Sequence, residues 1–146
     1  MSEFKPIADG FFAAGQIEPS DIARAKAAGI VAVVNNRPDG EAADQPAGDT
    51  IRKAAEEAGL TYTAIPIGPN GFGLDDVEKL SAALDQASGP VLGFCRTGTR
   101  STLLWSLAQA HKGRDLNEIA GDAAQAGYDV SPVRPAMEQL AARTGS

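Results

Sequence analysis

The sequence predicts an α/β domain built on a mostly parallel central sheet flanked by helices, with a helical C-terminal third. Short apolar runs alternate with helical patterns, which is typical of β-α-β units in a parallel sheet. The run at residues 30–34 is continuous and rich in β-branched side chains, as in a strand covered on both faces. In the last third of the chain, helical patterns dominate.

The first half of the chain predicts three strands, from short runs of aromatic or β-branched side chains at residues 11–13, 30–34 and 61–65. Two helical patterns separate them, at residues 21–28 and 49–58. Each helical pattern ends at a glycine, Gly29 or Gly59, and glycine favours a helix C-terminus.

The second half predicts one further strand and several helices. A loop rich in Gly and Pro at residues 66–73 precedes a helix at residues 74–87, whose apolar side chains fall on one face. The central strand follows at residues 91–94, and a helical segment at residues 102–108 comes shortly after it. Two more helices complete the prediction, at residues 115–126 and 132–143.

Composition and charge restrict the function classes. The 146 residues fit a single domain, 1–146, and a net charge of −6 argues against broad nucleic-acid or anionic-membrane binding. No apolar run of about 18 residues is present, so no membrane span is expected. One cysteine and one histidine cannot form an internal disulfide or a structural zinc site. We therefore expect no metal, no cofactor, and a cytoplasmic protein with a reduced thiol.

The only cysteine, Cys95, lies between the strand at residues 91–94 and a helical segment. Arg96 and Arg100 add positive charge near it, and Gly98 permits a tight curl of the backbone. A helix N-terminus and successive inward N–H groups add partial positive charge. These features favour a thiolate held together with a bound anion.

We call this segment, residues 95–101, the Cys95 loop, and its residues receive the following predicted roles. Cys95 is the catalytic nucleophile, and Arg100 holds the anion. Ser101 is predicted to cap the following helix and to donate a hydrogen bond to the sulfur. The predicted substrate-binding residues are Arg96, Thr97, Gly98, Thr99 and Ser101. The alternative is that Cys95 is a small buried apolar residue at the end of a strand.

A second polar loop, at residues 35–41, follows the neighbouring strand and is expected at the same edge of the sheet. One interpretation gives it a role in the reaction, with Arg37 binding an anion or Asp39 acting as an acid. The other is a salt bridge that only fixes the loop. The residues alone favour neither.

Two resemblances follow from these motifs. With four residues between Cys95 and Arg100, the loop resembles that of rhodaneses; cysteine-dependent phosphatases have five, and a histidine where this chain has Phe94. Most of the chain, roughly 4–130, resembles the phosphatase-like domain of beta-lactamase-hydrolase-like proteins. That resemblance is carried by residues 12–16, 35–41, 44–46, 65–67 and 95–105.

The family resemblance implies a dual-specificity-phosphatase-like fold that carries a loop of rhodanese length. Because members of that family also occur fused to metallo-beta-lactamase-fold persulfide dioxygenases, it also implies such a dioxygenase as a functional partner.

The short loop favours sulfur transfer over phosphate hydrolysis. A phosphatase needs an acid for its leaving group, yet residues 67–73 contain no carboxylate, and Asp75 and Asp76 are better placed to stabilise a helix start. We expect a Cys95 persulfide formed from an anionic donor such as thiosulfate or a persulfide. The alternatives are a phosphatase that acts on phosphate esters through a Cys95 phosphocysteine, and a non-catalytic thiol or anion-binding module.

Overall fold

The computed structural model describes residues 3–144, so the first two and last two residues of the predicted domain 1–146 lie outside the described residues. Its strands are β1 Lys5–Ala8, β2 Phe11–Ala14, β3 Ala32–Asn35, β4 Thr61–Ala64 and β5 Val91–Phe94. Its α-helices are α1 Asp21–Ala27, α2 Gly48–Glu57, α3 Leu74–Gln86, α4 Thr99–His111, α5 Leu116–Gln125 and α6 Arg134–Thr144. A 3₁₀ turn, Ser131–Val133, leads into α6.

The five strands form one sheet in the order β1-β2-β5-β3-β4. β2, β5, β3 and β4 are parallel, which confirms the mostly parallel α/β prediction. β1, which the sequence did not predict, is antiparallel to β2 at the edge of the sheet. The segment begins with Lys5 and Pro6, which suit an edge strand but break the apolar pattern of a buried one.

Helices cover both faces of the sheet. On one face α1 and α2 pack through Ile22 and Ile51 against Val33, Leu92 and Phe94. On the other face α3, α4, α5 and α6 enclose a larger apolar cluster. Its centre is the largely buried α4, where the Trp105 ring stacks on Phe11 with 5.9 Å between centroids.

The strand register brings the candidate site together. Phe94 at the end of β5 pairs with Ala14 on one side and Asn35 on the other, and Asn35 pairs with Ala64. Because the four parallel strands end level, the segments that follow them meet at one edge. Cys95 leaves the central strand of that group.

Candidate active site

Cys95 lies at the end of β5 with only 1% of its surface exposed. Its N–H donates to the Ala14 carbonyl at 3.3 Å, which continues the β2–β5 pairing by one residue. The Gly98 N–H donates to the Cys95 Sγ at 3.1 Å. The sulfur is therefore held inside the curl of the loop and faces a backbone donor.

Gly98 makes this curl possible. Its φ of 90° lies in the left-handed region, which glycine adopts without strain. A Cβ at this position would lie 2.2 Å from the Tyr128 hydroxyl oxygen, so the site has no space for a larger residue. Gly98 is also the N-cap residue of α4, and the partial positive charge of that helix end lies next to the sulfur.

The prediction that Ser101 caps α4 is wrong, because the helix begins two residues earlier, at Thr99. Ser101 is fully buried in the first turn, and its hydroxyl donates to Asn36 Oδ1 at 2.7 Å. A hydroxyl has one proton, so Ser101 cannot also donate to the sulfur. Asn36 in turn donates to the Ile65 carbonyl at 2.9 Å, and this buried chain ties α4 to the segments after β3 and β4.

Arg100 faces the second loop. Nη1 donates to Glu41 Oε2 and to the Ile67 carbonyl, both at 2.7 Å, and Nη2 donates to Glu41 Oε1 at 2.9 Å. The hydrogen bonds to Glu41, with the negative charge of Cys95 as a smaller cause, raise the pKa of Arg100. Three of the five guanidinium N–H groups are thus used to fix its plane, and the Cys95 sulfur is a further hydrogen-bond partner of this side chain.

Arg37 and Asp39 hold the second loop in place. The Arg37 guanidinium is nearly buried and donates from Nε to Glu41 Oε1 and from Nη1 to Gln16 Oε1, both at 3.0 Å. Asp39 Oδ1 accepts a 2.8 Å hydrogen bond from the N–H of Gly48 at the start of α2. Of the two interpretations left open by the sequence, these contacts fit the one in which the loop is fixed by polar bonds.

Glu41 joins the two loops. Its carboxylate lies between the guanidinium groups of Arg37 and Arg100. The hydrogen bond from Arg100 is the largest cause that lowers the pKa of Glu41 from its ordinary 4.5 to about 2, against the opposing effect of burial. Glu41 is therefore ionised at neutral pH and has no proton to give to a leaving group.

The remaining predicted substrate-binding residues lie at the rim of the loop. The Arg96, Thr97 and Thr99 side chains are exposed, and Thr97 Oγ1 donates to Thr99 Oγ1 at 3.1 Å. The Arg96 carbonyl is turned away and accepts from the Gln16 N–H at 3.2 Å. The cationic Arg96 side chain is thus at the surface, one residue from the thiol.

Sequence reasoning gave no role to Glu41, Gln16, Asn36 or Tyr128. Glu41 carried a signal, because it lies four residues after Arg37, a spacing that suits an ion pair. Gln16, Asn36 and Tyr128 bind partners from distant parts of the chain, and no local sequence pattern predicts these contacts. Asp76 behaves as expected for a helix start, since Oδ2 accepts from the Gly73 N–H at 2.9 Å.

The fold and the loop together define a class: a phosphatase-like α/β domain with a cysteine and an arginine on the loop that follows the central strand. The chain belongs to the family of the phosphatase-like domain of beta-lactamase hydrolase-like proteins, whose family model matches residues 3–112. This confirms the resemblance inferred from the motifs.

Two curated relatives are beta-lactamase hydrolase-like proteins. The one from Xylella fastidiosa strain 9a5c is 33% identical over 119 residues, or 80% of this chain and 27% of that protein. The one from Agrobacterium fabrum is 31% identical over 130 residues, or 88% of this chain and 30% of that protein. The chain thus spans less than a third of the length of these relatives.

Solved structures show the same fold. A candidate phosphatase from Neisseria meningitidis aligns with a TM-score of 0.80 and 30% identity, covering 94% of this chain and 97% of its own. Human DUSP28 aligns with a TM-score of 0.64 and 18% identity, covering 97% and 91%. The dual-specificity-phosphatase-like fold is therefore confirmed. These relatives support the phosphatase alternative better than sulfur transfer, for which they supply no support.

Over residues 3–144, no helix combines the length and the apolar character that crossing a membrane requires.

Proposed function

We propose that this chain is a cysteine-dependent sulfurtransferase in which Cys95 carries a sulfane sulfur between two small molecules. The observation that carries the proposal is the state of the two carboxylates in the second loop. Glu41 is ionised between two arginines, and Asp39 accepts from the backbone at α2. Glu41 has no proton to give to an alkoxide, and Asp39 holds the start of α2, whereas a phosphatase needs a proton donor for its leaving group and a sulfurtransferase does not.

The chemistry balances without an acid. The Cys95 thiolate attacks the outer sulfur of thiosulfate, the donor S–S bond breaks, and sulfite leaves with the electron pair as a dianion. Cys95 is left as a persulfide anion. An acceptor nucleophile such as cyanide then attacks the terminal sulfur, which releases thiocyanate and restores the thiolate. No proton moves in either step.

The loop offers what each anionic species requires. The Gly98 N–H and the α4 N-terminus stabilise the negative sulfur, while Arg100 binds the oxyanion of the donor. The four residues between Cys95 and Arg100 make a loop one residue shorter than the five-residue spacing of cysteine-dependent tyrosine and dual-specificity phosphatases, which suits a single sulfur atom.

Phosphate-ester hydrolysis is the second candidate, and the family and the solved structures favour it. Here the thiolate attacks phosphorus, the ester oxygen leaves, and water hydrolyses the phosphocysteine. The same loop would hold the phosphate oxygens. Since Glu41 is ionised and Asp39 is bonded to the backbone of α2, we expect this reaction to favour esters with good leaving groups, such as aryl phosphates.

One pair of assays on a single preparation separates the candidates. Thiosulfate:cyanide sulfurtransfer is measured by thiocyanate, and p-nitrophenyl phosphate hydrolysis by p-nitrophenol, with Cys95→Ser as the control for each. We expect thiocyanate formation that Cys95→Ser abolishes. Phosphate hydrolysis lost in Cys95→Ser, with no thiocyanate formed, makes the protein a phosphatase. If both assays are silent, the non-catalytic thiol or anion-binding module becomes the better account.

A persulfide-consuming partner would complete the proposed reaction. We infer a metallo-beta-lactamase-fold persulfide dioxygenase for this role from the family resemblance, in a cytoplasmic setting that keeps Cys95 reduced. Adding such a dioxygenase should raise the turnover of sulfur from Cys95 persulfide. Unchanged turnover with the active dioxygenase contradicts this partner.

A further inference from the structure

The peptide unit between Thr97 and Gly98 has both of its polar ends occupied. Its N–H end, on Gly98, donates to the Cys95 Sγ at 3.1 Å. Its carbonyl end, on Thr97, accepts from the Tyr128 hydroxyl at 3.2 Å. In a planar trans peptide the two groups point in opposite directions, so fixing one end aims the other.

We propose that Tyr128 is a positioning residue, which aims the Gly98 N–H at the Cys95 sulfur by holding the Thr97 carbonyl on the opposite side of the loop. Tyr128 does not touch the reacting atoms in this scheme. It acts through one peptide plane, and its contribution is the orientation of a donor that stabilises the thiolate. The proposal rests on the role of Cys95 as the reactive group in the proposed function.

Tyr128 is well fixed for this task. The residue is 9% exposed, and its own N–H donates to the Ala123 carbonyl at 2.9 Å, which anchors it to the end of α5. The Lys5 Nζ lies 5.1 Å from the ring centroid on the β1 side. A rigid phenol therefore presents its hydroxyl to the loop at low entropic cost.

The fit between Tyr128 and Gly98 points the same way. The hydroxyl oxygen occupies the space that a Cβ at residue 98 would need, at 2.2 Å from it. The glycine is thus required by its neighbour as well as by its φ of 90°. A hydroxyl that only filled space would not need to donate to the Thr97 carbonyl.

Electrostatics keep the Tyr128 hydroxyl protonated. Burial first, and then the negative charge of Cys95 and of Glu3, raise the pKa of Tyr128 above its ordinary 10. The group is therefore a donor throughout the neutral range. The other charged groups near this pair are Arg100, which is bonded to Glu41, on the sulfur side and Lys5 over the ring.

The preceding peptide unit is held in a comparable way by backbone alone. The Gln16 N–H donates to the Arg96 carbonyl at 3.2 Å, and Gly15 leaves room for that close approach. Of the two hydrogen bonds that hold these peptide units, only the one from Tyr128 can be removed by a side-chain substitution. Tyr128 also lies beyond residue 112, where the match to the family ends.

The test compares Tyr128→Phe with Tyr62→Phe, which removes the only other tyrosine hydroxyl in the chain. The Tyr62 hydroxyl is half-buried and accepts from Asn35 Nδ2 at 2.9 Å, away from the Cys95 loop. The readout is the rate of Cys95 alkylation by iodoacetamide as a function of pH, which reports thiolate and needs no substrate. Melting temperatures are measured in parallel.

We expect Tyr128→Phe to slow alkylation in mildly acidic buffer by roughly threefold to tenfold, because a hydrogen bond to an anion is weakened. The profile moves to higher pH while its upper plateau is kept, and Tyr62→Phe superimposes on wild type. A Tyr128→Phe profile that superimposes on wild type overturns the proposal.

If Tyr128→Phe does not fold, the Tyr62→Phe protein grown with 3-fluorotyrosine replaces it, since the label then sits at Tyr128 alone. The more acidic phenol is a stronger donor, so its profile should move to lower pH. An unchanged profile overturns the proposal here too. If neither enzyme assay detects activity but the alkylation profile shifts, the proposed function is rejected and the positioning role of Tyr128 is retained.

Discussion

The Cys95 loop and the second loop lie at the same edge of the sheet but use their polar groups differently. The Cys95 loop directs the Gly98 N–H toward the sulfur and leaves the Arg96 side chain at the surface. The second loop, residues 35–41, has its charged side chains bonded to other groups of the protein. Charges in the second loop thus act by fixing the position of Arg100, whereas the Cys95 loop is left free to meet a substrate.

Glycine substitutions test this comparison most severely. Gly98 and Gly40 both have positive φ, at 90° and 79°, but only Gly98 has neighbours where a Cβ would be. Gly40→Ala should cost about 1–2 kcal/mol of unfolding free energy, from backbone strain alone. Gly98→Ala should cost about 3 kcal/mol or more, because it adds a clash with Tyr128. Urea unfolding of both variants measures the difference.

Activity should separate the same pair. Gly98→Ala displaces the donor to the sulfur, so we expect at least a hundredfold loss of Cys95-dependent turnover. Gly40→Ala should retain turnover within about threefold, since its loop only supports the site. Equal losses of turnover in the two variants would contradict the view that the Cys95 loop takes part in the reaction while the second loop only supports it.

Glu41→Gln tests the connection between them. It replaces the carboxylate that binds both Nη atoms of Arg100, so we expect about a tenfold fall in kcat/KM from a less ordered guanidinium. Glu56→Gln, which breaks a surface ion pair with Arg52 on α2, serves as the matched control. A Glu41→Gln enzyme with wild-type kcat/KM shows that Arg100 needs no such support.

The same residue predicts a pH dependence of stability. Because the folded pKa of Glu41 is about 2, below its ordinary 4.5, its contribution is present above about pH 4.5 and is lost as the pH falls toward 2. Solvent screening of this partly exposed pair limits the contribution to the order of 1 kcal/mol. The difference in unfolding free energy between wild type and Glu41→Gln should therefore be smaller at pH 3 than at pH 7. A difference that is the same at both pH values contradicts the assignment.

Asp39→Asn is expected to have the smallest effect. The asparagine oxygen can still accept from the Gly48 N–H, so stability should fall by no more than about 1 kcal/mol. Both assays should retain activity within about twofold. A loss greater than tenfold in phosphate hydrolysis alone would restore Asp39 as a general acid and favour the phosphatase.

The sequence predicted the parallel core well because its signals are local. The run at residues 30–34 and the glycines that end α1 and α2 specify elements whatever their neighbours. β1 escaped prediction because Pro6 and Lys5 mark an edge strand, whose partner is known only once the sheet exists. The start of α4 was misplaced because a serine is the commoner cap, whereas here a left-handed glycine holds that position.

The chemistry-bearing loop was predictable from its spacing, but its supports were not. Glu41 and Arg100 are 59 residues apart, and Tyr128 reaches Thr97 across 31 residues. Neither contact follows from a local pattern, since each depends on how helices and strands pack. Asn36 is similar: its four hydrogen bonds are fixed by the level ends of β3, β4 and β5.

The packing of α5 and α6 has a consequence for anyone who wishes to graft this domain onto another protein. The family signature ends at residue 112, yet Ile119, Ala123 and Met137 beyond it are fully buried in the same cluster as Trp105. A fragment that ends at residue 112 would contain the whole Cys95 loop, but it would expose the apolar side of α4 that α5 and α6 cover. The shortest portable unit is therefore longer than the stretch by which relatives are recognised.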